Sequence, residues 1–153
     1  MNLISKILEP GNILLDDEST SKKRVFERVG LLFENNQQIA RSQVFDSLFA
    51  REKLGSTGLG QGVAIPHGRI ARLRDATAAF VKTSHSILFD APDGQPVNLI
   101  FVLLVPERAT DLHLLILGEL AQMFSDTRFR DHLNTCKDTT CIYRLFHDWN
   151  SLA

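Results

Sequence analysis

Seven consecutive apolar residues, Leu99-Ile100-Phe101-Val102-Leu103-Leu104-Val105, stand between Asn98 and Pro106. The run is too short to cross a membrane, which takes about 18–20 residues, and too unbroken for a strand with one wet face. It reads as a central strand buried on both sides. The rest of the chain must then supply strands beside it and helices above and below it. Ala76 to Thr83 reads as a strand, followed by a Ser84-His85-Ser86 turn and the apolar Ile87-Leu88-Phe89. Ile13 to Leu15 and Val63 to Ile65 read as shorter strands, and Asp90 to Pro96 as a turn region.

Helical spacing fills the remainder. Leu3 to Leu8 reads as a short amphipathic helix stopped by Pro10-Gly11. Thr20 or Ser21 caps a helix to about Asn35, with Val25, Val29, Leu32 and Phe33 on its inner stripe. Ser42 caps another, with Val44, Phe45, Leu48 and Phe49 inward, ending at Arg51-Glu52-Lys53. Thr110 caps a long helix to about Phe124, with Leu112, Ile116, Leu120 and Met123 on one stripe. Asp126 to Leu133 and Thr139 to Trp149 read as the last two helices. The expected fold class is α/β, with one domain over residues 1–153 and a mixed sheet of about four or five strands flanked by helices.

Charge and composition exclude several function classes. The 153 residues suit one core, and the net charge of −1 comes from interspersed residues of both signs. No Lys/Arg run marks a nucleic-acid footprint; Ser21-Lys22-Lys23-Arg24 reads as the solvated start of a helix. No segment is apolar enough for membrane insertion, and the N-terminus lacks the apolar block of a signal peptide, so a cytoplasmic protein is expected. Cys136 and Cys141 are spaced neither as C-x-x-C nor within a His/Cys metal pattern. They read as two reduced thiols.

The chemistry concentrates in residues 51 to 69. Four of nine glycines, Gly55, Gly58, Gly60 and Gly62, fall in one short loop. Such a loop can turn its N–H groups inward as a nest for an anion, with Gly55, Ser56, Thr57, Gly58, Gly60 and Gly62 as candidate phosphate-binding residues. Val63-Ala64-Ile65 then leads to Pro66, whose fixed φ presents His67 at a strand end before Gly68 turns the chain away. On the loop alone, a bland glycine turn with a histidine at its exit stands beside the functional reading. The spacing G-x-G-x-G, after a helix and before a strand, does not match a dinucleotide fingerprint or a Walker loop. No set of metal ligands surrounds His67, and no nucleophile-elbow context surrounds Ser56 or Thr57. No metal or cofactor is expected. His67 itself is the remaining nucleophile: neutral imidazole is reactive near pH 7. A phosphoryl group on it would need a cation and donors. Arg51 can fold back from the preceding helix end. His113, in the first turn of the helix after Thr110, lies at a positive helix end that favours an anion, and on the pattern alone it reads equally as a satisfied or exposed histidine. His85, His132 and His147 read as structural or exposed.

The run Arg51-Glu52-Lys53-Leu54-Gly55-Ser56-Thr57-Gly58-Leu59-Gly60-Gln61-Gly62-Val63-Ala64-Ile65-Pro66-His67-Gly68 resembles the active-site signature of the enzyme IIA family of the fructose and mannitol type. The likeness continues through Gln95 to Pro106 and at His113-Leu114. It is nearest to the nitrogen-related regulatory branch of the bacterial phosphoenolpyruvate-dependent phosphotransferase system. The resemblance implies a mixed α/β domain and a phosphohistidine at His67, with Arg51 and His113 as the shell. It implies transfer from a small histidine phosphocarrier protein of the HPr or NPr kind, at Nε2. Two further readings stand beside the regulatory carrier. One is a sugar-specific IIA that hands its phosphoryl group to a IIB domain; no IIB or IIC segment is attached here, which the regulatory reading expects. The other is an interaction module for a transporter or sensor kinase, switched by phosphorylation of His67. Asp111, close before His113, places a carboxylate near the proposed anion site.

Overall fold

Alternation along the apolar run decides which face each residue covers, because successive strand side chains point to opposite sides. In the computed structural model, which describes residues 2–108 and 111–150, that run forms the middle of β6 (Val97–Pro106). Leu99, Phe101, Leu103 and Val105 enter one core, and Val97, Ile100, Val102 and Leu104 enter the other. The strand is buried on both sides, as its composition requires.

Among the described residues the sheet has six strands, this one included. They are β1 (Leu8–Asp17), β2 (Gly58–Gly60), β3 (Val63–Ala64), β4 (His67–Ile70), β5 (Thr77–Ile87) and β6. Their order is β1-β5-β6-β3-β2, with β4 also pairing β6. β5 runs antiparallel to β6, while β1 is parallel to β5, and β3 and β4 are both parallel to β6. The sheet is mixed, as expected, with one or two strands more than composition suggested. β3 and β4 lie end to end along the same edge of β6. Val63 pairs Leu99 and His67 pairs Leu103, with Ile65-Pro66 as the joint.

One face is covered by α1 (Lys22–Gln37) and α2 (Arg41–Lys53), the other by α3 (Asp111–Ser125), α4 (Thr127–Thr135), α5 (Thr139–Asp148) and a short 3₁₀ helix, Ile4–Lys6. Phe80, Phe101, Phe124, Phe129 and Phe146 interlock edge to face beneath α3 to α5. Burying a side chain of that size is worth about 1.5–3 kcal/mol. Ser21 caps α1 by accepting the Arg24 N–H at 3.2 Å. Asp126 and Asp138 cap α4 and α5 in the same manner.

Several expectations are corrected. The N-terminal helix shrinks to one 3₁₀ turn, because β1 starts at Leu8 and passes straight through Pro10-Gly11. A register shift between Leu8 and Ile13 absorbs the missing amide donor of Pro10. β1 also runs past Leu15 to Asp17, which is buried, with Arg28 Nε 3.0 Å away. β5 continues through Ser84-His85-Ser86 rather than turning there. Ser42 does not cap α2; Ala40 precedes the helix, and Glu34 accepts the Arg41 N–H at 2.9 Å. α3 begins at Asp111, but Thr110 lies outside the described residues. Leu112 faces outward, whereas Ile116, Leu120 and Met123 are buried. Cys136 and Cys141 are not separate thiols: a disulfide joins them across the α4–α5 connection, with Cα atoms 5.7 Å apart. Beside it, buried Lys82 donates to the carbonyls of Leu133 at 2.9 Å and Cys136 at 2.7 Å, a cation at the negative end of α4.

Among the described residues no helix is long and apolar enough to cross a membrane.

Candidate active site

Proline makes the joint between β3 and β4. Pro66 donates no hydrogen bond, yet its carbonyl accepts from Leu103 at 2.9 Å, so the chain stays on the edge of β6. Ile65 turns the other way. Its N–H donates to the Thr57 carbonyl at 3.0 Å, and its own carbonyl lies 2.9 Å from His67 Nδ1. A carbonyl can only accept, so Nδ1 carries the ring proton. In the neutral ring the lone pair is then on Nε2.

His67 opens β4 rather than closing a strand. Gly68 does not turn the chain; it is a strand residue, and a Cβ there would run into Ser47 Oγ on α2. The close approach of α2 to β4 needs this glycine. By strand alternation His67 points to the α3 side, and there it meets His113. The two rings are 5.6 Å apart between centroids, nearly perpendicular. His113 is the third residue of α3, close to its N-terminus. The structure therefore brings together two histidines that are 46 positions apart.

Arg51 ends the other approach. It sits in the last turn of α2 and donates to the Gly55 carbonyl at 2.8 Å, which folds it back over the glycine loop. Burial lowers the His67 pKa below its ordinary 6.5. The Ile65 bond acts in the opposite sense, the Arg51 charge lowers it further and the Glu52 charge raises it. Burial also lowers His113, with additional downward pushes from His67 and Arg69. Both rings are held neutral near pH 7.

The glycine loop is more committed than an open nest. Gly55 N–H donates to the Glu52 carbonyl, Thr57 N–H to the Glu52 carboxylate, Gly58 N–H to Ser56 Oγ, and Gln61 N–H to Asp93. Ser56 Oγ donates in turn to the Phe89 carbonyl. Gly60 and Gly62 hold φ of +92° and +80° in the turn between β2 and β3. There the Gly62 carbonyl accepts from both Asn98 and Leu99 at 3.0 Å, which ties the loop to β6. Among the candidates, the N–H groups of Gly55, Thr57 and Gly58 already have acceptors, Ser56 is tied to Phe89, and Gly62 holds the loop to β6 through its carbonyl.

Two residues were missed by sequence reading. Arg69 is two positions beyond His67 on β4, hence on the same face, and its charge acts on His113. The i, i+2 spacing was the available signal. Glu52, read only as part of the helix end, has a side chain only 5% exposed. His85, His132 and His147 lie away from this cluster, on β5, α4 and α5.

Residues 6–149 match the family described as "Phosphoenolpyruvate-dependent sugar phosphotransferase system, EIIA 2". The nitrogen regulatory protein of Pseudomonas aeruginosa is 40% identical over 146 residues, which cover 95% of each chain. The crystal structure of nitrogen regulatory protein IIA-Ntr from Neisseria meningitidis is 52% identical and superposes with a TM-score of 0.90, covering 95% of this chain and 99% of that one. IIA mannitol from Escherichia coli superposes with a TM-score of 0.76 at 18% identity, over 90% of this chain and 97% of that one. At that identity the likeness concerns the fold alone.

Proposed function

Since the chain belongs to the EIIA type 2 family of the phosphoenolpyruvate-dependent sugar phosphotransferase system, we propose that it is a phosphoryl carrier of the nitrogen-regulatory kind. It is one IIA domain over residues 1–153, working in the cytoplasm. His67 Nε2 accepts the phosphoryl group from a histidine phosphocarrier protein of the HPr or NPr type. The observation that carries this reading is the Nδ1 bond to the Ile65 carbonyl. It fixes one tautomer and leaves a single nucleophilic nitrogen, in a ring whose charged form burial disfavours.

The step balances without a base. The Nε2 lone pair forms the new N–P bond as the carrier's N–P bond breaks, and the electron pair of that bond returns to the carrier's imidazole. Nδ1 keeps its proton, and the Ile65 carbonyl stabilises the positive charge that develops on the ring. Catalysis is then positioning and charge stabilisation. Arg51 faces the oxygens of the transferring group, and Arg69 adds a second cation on the same strand face. Neutral His113 donates one N–H to a phosphoryl oxygen. The glycine loop contributes placement, since several of its amides are taken by its own acceptors. Leu112, Leu114 and Leu115, exposed on α3 around His113, supply apolar surface for the docking protein.

Identities of 40% and 52% to nitrogen regulatory proteins favour regulation over sugar uptake through a IIB domain. The regulated partner is a transporter or sensor kinase whose affinity changes with the charge on His67. The test is incubation with phosphoenolpyruvate, enzyme I and the phosphocarrier. One phosphoryl group should be added per chain, labile in acid and stable in alkali. Full labelling of His67→Ala would end the assignment.

A further inference from the structure

The carboxylate of Glu52 is buried at the end of α2, one residue after Arg51, and holds three donors. Lys22 Nζ is 2.8 Å away, the Thr57 N–H donates at 3.1 Å, and the Thr57 hydroxyl donates at 2.6 Å. Isolated buried carboxylates are costly; this one is fully engaged, by an ammonium from α1 and by the loop. The connection does not stop there. The Thr57 carbonyl accepts the Ile65 N–H at 3.0 Å, and the Ile65 carbonyl takes His67 Nδ1 at 2.9 Å. Four residues thus form one path from a buried charge to the ring: Glu52, Thr57, Ile65, His67. Each link uses a peptide group or side chain with few alternatives, because Thr57 and Ile65 are both buried.

We propose that Glu52 is a positioning residue for transfer at His67: through Thr57 and Ile65 it fixes which ring nitrogen is free to attack. It touches neither the phosphoryl group nor the imidazole. Its carboxylate pins the start of the glycine loop onto α2, and the loop pins the Ile65 peptide plane. Without that anchor the Ile65 carbonyl can rotate away, and Nε2–H becomes an equal alternative to Nδ1–H. The fraction of rings with a free Nε2 falls, and so does the rate. The same anchor keeps Gly55 where Arg51 meets it, so ring and cation are held from one point.

This inference rests on His67 being the acceptor, and the test keeps the two claims apart. The full-length chain, labelled with ¹⁵N, reports the His67 tautomer from its ring nitrogen signals without any phosphorylation. Single-turnover transfer from the phosphocarrier is measured on the same samples. Wild type should hold one neutral tautomer, protonated at Nδ1. Glu52→Gln, which keeps the shape and an acceptor oxygen, should retain that tautomer and transfer close to the wild-type rate. Glu52→Ala should show a second tautomer and transfer about 10- to 100-fold more slowly, the scale expected when a reacting group is misplaced. A folded Glu52→Ala with the wild-type tautomer and rate overturns the proposal. Should Glu52→Ala fail to fold, Thr57→Val decides: a second tautomer and slower transfer support the path, and wild-type behaviour overturns it. Phosphoryl found elsewhere than His67 in wild type sinks the His67 assignment and this proposal with it, whereas phosphoryl on His67 with an unchanged tautomer and rate in Glu52→Ala sinks the proposal alone.

Discussion

His67 Nδ1 and the Ile65 carbonyl oxygen are 2.9 Å apart, on either side of Pro66. The contact is local, yet it decides the chemistry. It spends one ring nitrogen on the backbone and leaves the other as the only lone pair. Pro66 makes it durable, since its fixed φ limits how the flanking residues can move. The reactivity of the ring comes from this bond and from the burial around it.

The first prediction concerns protonation. Burial holds His67 below 6.5, and likewise His113. Imidazole proton shifts followed against pH should place both midpoints below that value. The acceptance rate should therefore stay level as pH falls through 6.5 and decline only beneath it. The linkage has a definite sign: the unfolded chain binds these protons more readily, so stability should also drop as pH falls below 6.5. Midpoints above 6.5 would contradict the account.

Arg51 gives the second. Arg51→Ala should slow phosphoryl acceptance by about 10²–10³, the usual cost of losing one donor to developing charge. It should also raise the His67 midpoint, because the Arg51 charge now lowers it. Arg51→Lys should restore the charge but not the forked geometry, and so recover only part of the rate. Wild-type transfer by a folded Arg51→Ala would remove Arg51 from the site.

His113 lies edge-on to His67 at 5.6 Å and is assigned a donor role. His113→Ala should leave His67 reactive but slow its transfer, and His113→Gln should recover part of the loss through its amide N–H. Single-turnover rates for the two variants settle this. If both match wild type, the site reduces to His67, Arg51 and Arg69.

The disulfide supplies a stability test independent of the site. It closes a short loop between α4 and α5, for which chain entropy alone gives about 2 kcal/mol. Dithiothreitol should lower the urea midpoint accordingly and leave phosphorylation of His67 intact. An unchanged midpoint under full reduction would contradict the stabilising role.

Legibility in the sequence tracked how local the signal was. Leu99 to Val105 could be placed because seven apolar residues in a row have few other uses. The cap of α1 could be narrowed to Thr20 or Ser21 because the helix stripe begins just after them, and the structure places it at Ser21. Breaker residues misled where the sheet absorbed them. Pro10-Gly11 and Ser84-His85-Ser86 looked like ends, but both lie inside strands that shift register around them. Gly68 looked like a turn because the approach of Ser47 is a tertiary fact. The site residues His67, Arg51 and His113 were named from residue chemistry and resemblance. Their meeting depends on the first turn of α3 coming up to the start of β4, which no spacing encodes. Glu52 escaped notice for a related reason: a charged helix end is normally wet, and only the fold shows this one covered by Lys22 and Thr57.

The central claim is that a fixed tautomer makes Nε2 of His67 the phosphoryl acceptor. The most direct measurement is the ¹⁵N–³¹P coupling in the ring-labelled chain after phosphorylation by phosphoenolpyruvate, enzyme I and the phosphocarrier. The account predicts one phosphoryl group per chain, coupled to His67 Nε2, with Nδ1 still protonated. Coupling to Nδ1, or to a nitrogen of any other histidine, would contradict it.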